Sequence, residues 1–281
     1  MPLISNSYGK GRVRVMRVDR GSDRHEVREL TVQAMLEGGF AAAYTAGDNA
    51  AVVATDTIKN IAYIVARENI GACAEEYAGK LAARFLDRYP QVERATVRTA
   101  ETKWTRATLG GTEHPHTFTL DANGKPTVAL TAGRDGGVEV VSGIASYTIM
   151  KSTESGWVGY VMDEYTTLPE TRDRIAATAM DATWTWQSPP AGYPAANARI
   201  LSTMLEVFGT TYSQGVQDSL YRMGEAALAA VPELATVSMA CPNKHYIPVN
   251  LDRFGLSADN MVFVATDEPH GQIECTVGRA P

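Results

Sequence analysis

The chain has 281 residues, 44% of them apolar and 21% charged, so it is long enough for one large or two ordinary domains and too apolar to be disordered. Its 26 basic and 32 acidic residues leave a formal charge of −6, which disfavours a nucleic-acid binder built on a broad basic face. A small anion held by one well-placed cation remains open, and no run of about 18 apolar residues suggests a membrane span.

Val13 and Val15, alternating with Arg12 and Arg14, predict a strand near the N-terminus. Ala51–Thr57 reads as a strand closing on polar residues. Glu75–Tyr89 carries Tyr77, Leu81 and Phe85 at helical spacing and stops at Pro90, after which Val92–Val97 alternates as a strand. The glycines of Ala132–Gly137 suit a turn, and the expected boundary falls there, with a first repeat over 1–134 and a second over 135–281. Val138–Val141 with Ile144 opens the second half, and Tyr147–Thr153 is a strand closing on polar residues. Ile200, Leu201, Met204, Leu205 and Phe208 predict a helix with Gly209 as its stop. Val216, Leu220, Met223, Ala227 and Val231 mark another, ended by Pro232, and Leu234–Met239 is again a strand.

Helix, proline and an Ala-Thr-Val strand therefore occur twice, at Ala95–Val97 and Ala235–Val237. The expected class is α+β, two tandem repeats of an antiparallel sheet with helices packed on one face. Cys73, Cys241 and Cys275 are odd in number and widely spaced, which excludes a disulfide framework or a CxxC metal site. Small buried hydrophobes in a reducing compartment are expected. Met1–Asn6 lacks a basic region followed by an apolar stretch, and Val277–Pro281 is no peroxisomal tail, so a cytoplasmic address is expected.

Several residues are candidates for chemistry. Lys10, between Gly9 and Gly11, is either an exposed turn lysine or an amine held where backbones approach closely. The hydroxyls of Thr55 and Thr57 can cap a helix or present a proton-relaying group at a strand end. His114 and His116 share one side of an extended segment, but no third ligand stands at motif spacing, so no metal site is expected. Arg172 and Arg174 lie among acids, where a surface ion pair is the default. Trp157, Gln217 and His245 each have an ordinary structural reading beside a functional one. No P-loop, dinucleotide glycine fingerprint or nucleophile elbow is present, so no nucleotide cofactor is expected.

Taken in order, Tyr8-Gly9-Lys10, Ala46–Asn49, Val53–Asn60, His114–Phe118, Lys151-Ser152-Thr153, Asp163–Arg174, Asp181–Trp184, Val216-Gln217, Pro242–Tyr246 and Asp267–Gly271 resemble the urate oxidase (uricase) family. The resemblance runs from Tyr8 to about Glu274. It implies the tunnelling fold (T-fold), two repeats per chain, with four chains forming a homotetrameric barrel. It also implies oxidation of urate by dioxygen and water to 5-hydroxyisourate and hydrogen peroxide, with no metal or organic cofactor.

Carried onto this chain, the resemblance makes Lys10 the base, with Thr55 and His245 completing a proton relay. An amine does this near neutral pH only if burial or a nearby cation depresses its pKa. Arg174 would grip one edge of the purine, Gln217 and the Val216 N–H another, and Thr55 with the Asp56 backbone the opposite edge. Asn243 would sit over the ring plane. Trp157 stands where the family usually has a stacking phenylalanine, a departure that bears on affinity. The stretch Arg98–Thr112 is short beside many relatives. The pocket would lie between subunits. Two other readings stand beside this one: a zinc-dependent, pterin-handling enzyme using His114 and His116, and a catalytically silent purine-binding protein.

Overall fold

The computed structural model describes residues 1–257 and 259–279. The tail read for a targeting signal ends in Ala280 and Pro281, outside the described residues. The chain divides into two units, Met1–Gly143 and Ile144–Pro281.

In the first unit, β1 (Tyr8–Asp19) and β2 (Glu26–Gly38) lead into α1 (Ala41–Thr45), α2 (Thr55–Glu68) and α3 (Ala74–Arg88). Then come β3 (Val92–Leu109), β4 (Thr112–Asp121) and β5 (Lys125–Gly133). The sheet order is β1-β2-β3-β5, antiparallel throughout, with β4 paired to the far half of β3. Alternating residues explain the layering. Val13 and Val15, Leu30 to Leu36 at every second position, Ala95 and Val97, and Val128 and Leu130 are all buried. They form one core with Ile58, Ala62 and Val65 of α2 and Tyr77, Leu81 and Phe85 of α3. A fully buried side chain of this size contributes about 1.5–3 kcal/mol.

The second unit repeats this order. β6 (Val138–Lys151), which starts before the unit boundary, is followed by β7 (Ala176–Trp186), α4 (Tyr193–Thr210), α5 (Val216–Ala230), β8 (Leu234–Pro248) and β9 (Phe263–Gly278). The strands lie in chain order, and Met180, Ala182, Trp184, Val237 and Met239 pack against Ile200, Met204, Leu220 and Met223.

The Ala-Thr-Val echo has the same physical content in each unit. Val97 and Val237 are fully buried, while Thr96 pairs with Thr131 across strands at 3.1 Å and Thr236 with Thr185 at 2.6 Å. A second correspondence is invisible in the motif. Arg134, after β5, donates to Leu86, Tyr89 and Val92 carbonyls at the end of α3. Arg279, after β9, does the same to Leu228, Val231 and Leu234 at the end of α5. Each cation satisfies the last carbonyls of the helix that the proline ends.

Two expectations need correction. Ala51–Thr57 is not a strand: the chain is irregular to Ala54 and helical from Thr55, because Ile58, Ala62, Val65 and Ala66 continue a helical apolar stripe. Gly209 does not stop α4, which runs on to Thr210. Gly209 keeps a negative φ, so it lacks the left-handed turn that makes glycine a stop. The helix ends instead where Lys151 Nζ donates to the Thr211 carbonyl at 2.7 Å. The β3–β4 hairpin turns at Gly110 and Gly111, with φ of 59° and 82°, a left-handed pair suited to a two-residue turn. Among the described residues, no helix is long and apolar enough to cross a membrane.

Candidate functional site

Lys10 lies in β1, half-buried, opposite Ala34 of β2. The close-approach alternative is the one realised, since a Cβ on Gly9 would stand 1.9 Å from the Ala34 carbonyl oxygen. Register shifts between Lys10 and Val13, with Arg12 at a φ of 55°. Such a bulge re-aims the side chains beside it. The Tyr8 hydroxyl accepts the Val53 N–H at 2.8 Å, which ties the start of β1 to the approach to α2.

Thr55 and Asp56 are the first two residues of α2. Its N-cap is Ala54, with no side-chain cap, so the Thr55 hydroxyl is not a cap and the first-turn N–H groups have no partner within the helix. Asp56 is exposed and bonds Lys59 at 2.5 Å and Asn60 at 3.3 Å. The Lys59 bond, and more weakly the charge of Lys10, hold its carboxyl below the usual range. Lys10, Thr55 and Asp56 thus gather at one helix start.

The second unit holds a cleft of about 450 Å³ lined by Trp157, Leu168, Arg174, Asn243, His245 and Phe263, among others. Its near wall is laced by backbone. The Gly156 N–H donates to Ser213 O at 2.9 Å, the Trp157 N–H to Thr171 O at 2.7 Å, and the Arg174 N–H to Ser155 O at 2.9 Å. The Tyr212 hydroxyl donates to Arg172 O at 2.8 Å. Beyond Trp157, the Tyr160 hydroxyl meets Leu168 O at 2.5 Å and the Gly159 N–H meets the Glu170 carboxylate at 2.6 Å. The indole stacks on Tyr160, centroids 5.6 Å apart and planes 12° apart.

The surface ion pair expected of Arg172 and Arg174 is absent among the described residues. The Arg174 guanidinium stands 5.8 Å from the centre of the Trp157 ring, and its Nε is buried without a hydrogen-bond partner. Burial pushes its pKa below the ordinary arginine value, yet a guanidinium remains charged at neutral pH. A desolvated cation with an unused donor in a cleft is a place for an anion.

Val216 and Gln217 open α5, whose N-cap, Gly215, provides no side-chain cap. The positive end of that helix is therefore free to meet an anion. Gln217 Oε1 and the Trp157 ring both crowd the space above Gly215, so these two side chains are neighbours. Asn243 and His245 lie in β8 on either side of a register shift against β9, whose partner residues pass from Gly271 to Thr266.

The structure therefore forms two groups, Lys10 with Thr55 and Asp56 in the first unit, and Trp157, Arg174, Val216, Gln217, Asn243 and His245 in the second. Sequence reasoning missed Leu168 and Tyr160. Leu168 stands inside a quoted segment and Tyr160 between two of them, and only the fold brings both to Trp157. Lys151 plays a different part, closing α4 beneath the Phe208 ring at 5.3 Å.

His114 and His116 do meet, their rings 4.5 Å apart, and the fold adds His25, 5.9 Å from His116. Arg106 gathers these segments by donating to the carbonyls of His25, His114 and Pro115. Among the described residues, no three His, Cys, Asp or Glu side chains are set to hold a metal ion.

Comparison with known proteins points to one family. The family model described as Uricase matches residues 6–131 and 140–274. Uricase from Arthrobacter globiformis is 38% identical over 99% of this chain and 90% of its own length. Uricase from Dictyostelium discoideum is 37% identical over 99% and 98%. The crystal structure of the Arthrobacter globiformis uricase superposes with a TM-score of 0.93 at 37% identity, covering 99% of this chain and 95% of that one. With its antiparallel sheets and packed helices matched over nearly their whole length, the chain belongs to the uricase family of oxidoreductase enzymes.

Proposed function

We propose that this protein is a urate oxidase that converts urate, dioxygen and water to 5-hydroxyisourate and hydrogen peroxide. The observation that carries the reading is Arg174, a half-buried guanidinium whose buried Nε is unused, beside an aromatic face and in the same unit as an uncapped helix start. Such a setting suits a flat, anionic heterocycle with many acceptor atoms.

Arg174 presents its fork to one edge of the purine, and Gln217 with the Val216 N–H reads the next. Trp157 stacks on the ring, and Asn243 lies over its plane to position dioxygen and then water. Thr55 and the Asp56 N–H hold the opposite edge. Lys10, passing its proton through the Thr55 hydroxyl and His245, completes deprotonation of urate to an electron-rich dianion. That dianion reduces dioxygen one electron at a time, so no metal or organic cofactor is called for. The family resemblance puts the pocket between subunits, with Lys10 and Thr55 from one chain and Trp157, Arg174 and Gln217 from another. The assembly is a homotetramer of tandem T-fold chains closed into a barrel, and the address is cytoplasmic.

The test mixes metal-stripped protein with urate in air and follows loss of urate's ultraviolet absorbance together with peroxide. Equal loss of urate and gain of peroxide is expected. Dependence on added zinc would favour the pterin-handling reading, and urate binding without peroxide would favour the silent binder.

A further inference from the structure

We propose that Gly215 is a positioning residue that admits the indole of Trp157 to the stacking place. This rests on the reading that Trp157 stacks on the purine.

A Cβ built on Gly215 would stand 2.7 Å from Cζ3 and 3.1 Å from Cε3 of Trp157, and 3.3 Å from Gln217 Oε1. The first distance is shorter than any real side-chain contact, so the ring would have to move. It has little freedom to do so. Tyr160 stacks against it, and backbone bonds to Thr171 hold both its N–H and its carbonyl. Gly215 itself is extended, with φ of 177° and ψ of 172°, a conformation open to any residue. The requirement for glycine is therefore clearance from this ring and not backbone shape. The helix forgoes a Ser or Thr cap at this position, and in exchange the larger ring has room beside Gln217.

The consequence is a coupled pair. Gly215→Ala should displace the indole and raise the KM for urate by about tenfold, the scale that overpacking by one methyl group reaches, with kcat changed less than about twofold. A phenyl ring lacks the Cε3–Cζ3 edge. In a Trp157→Phe background, the same Gly215→Ala change should therefore move KM by less than about twofold.

Near-ultraviolet circular dichroism supplies a readout independent of catalysis. Gly215→Ala should alter the tryptophan bands in the parent but not in the Trp157→Phe background. A loss of helix capping would instead lower Tm equally in both backgrounds and leave KM uncoupled. Equal KM changes in the two backgrounds, or unaltered KM and dichroism in the parent, would overturn the proposal. If the single variant does not fold, folding of the double variant supports the clash, and failure of both overturns it. Should the parent itself not oxidise urate, the functional reading fails while the dichroism comparison still decides the packing.

Discussion

Replacing Arg174 by Met removes the charge while keeping much of the side chain's length. The guanidinium has lost water, leaves Nε without a partner, and stands 5.8 Å from the Trp157 ring centre. An arriving anion would give that donor a partner. Losing one partner of such a desolvated pair costs about 2–5 kcal/mol, which is roughly 30- to 5,000-fold in Kd. Stability should respond in the opposite sense. Burial lowers the Arg174 pKa, so folding disfavours the charged form, and retaining that charge at neutral pH opposes folding. Arg174→Met is therefore expected to bind xanthine, used as a purine probe at a pH alkaline enough to ionise it, far more weakly by titration calorimetry. Its Tm should hold or rise by about 2–4 °C, the shift that 1 kcal/mol produces in a unit of this size. Unchanged affinity would refute the placement of Arg174 on the anion. A Tm that fell sharply would show that the cation serves the fold instead.

Lys10→Met takes away a base but no edge contact, so turnover should fall by about 10²- to 10⁴-fold while xanthine affinity stays within a few-fold. Near-normal turnover in that variant would sink the relay. Burial pushes the Cys73 thiol up to about 12 and the Cys241 thiol up to about 11, from an ordinary 9.0. A raised folded-state pKa means that these neutral thiols contribute fully below pH ~9 and lose that contribution as pH climbs through the folded values. Tm should accordingly decline between about pH 9 and 11, more gently in a Cys73→Ala, Cys241→Ala variant, and an identical slope in both proteins would show that the thiols are not responsible.

Sequence periodicity was enough for α3, α4, α5 and the strands that follow the two prolines, because a buried stripe at helical or alternating spacing is a property of neighbours along the chain. The resemblance to the family was legible for the same reason, in short segments kept in one order. The start of α2 was not. The irregular stretch Ala51–Ala54 and the first turn at Thr55 look alike residue by residue, and tertiary bonds from Tyr8 and Gln91 to Val53 and Ala51 separate them.

The sequence by itself settled a core-forming α+β chain with twin helix–proline–strand units and no broad basic face. Only the tertiary structure decided that Arg174 is a desolvated cation and not half of a surface pair, that Lys10 stands beside a bulge, that His25 joins His114 and His116, and that Gly215 faces an indole 58 positions earlier in the chain. Each of these depends on groups far apart in sequence arriving within a few ångströms. Burial and steric clearance arise only from that arrival, so local spacing carries no record of them.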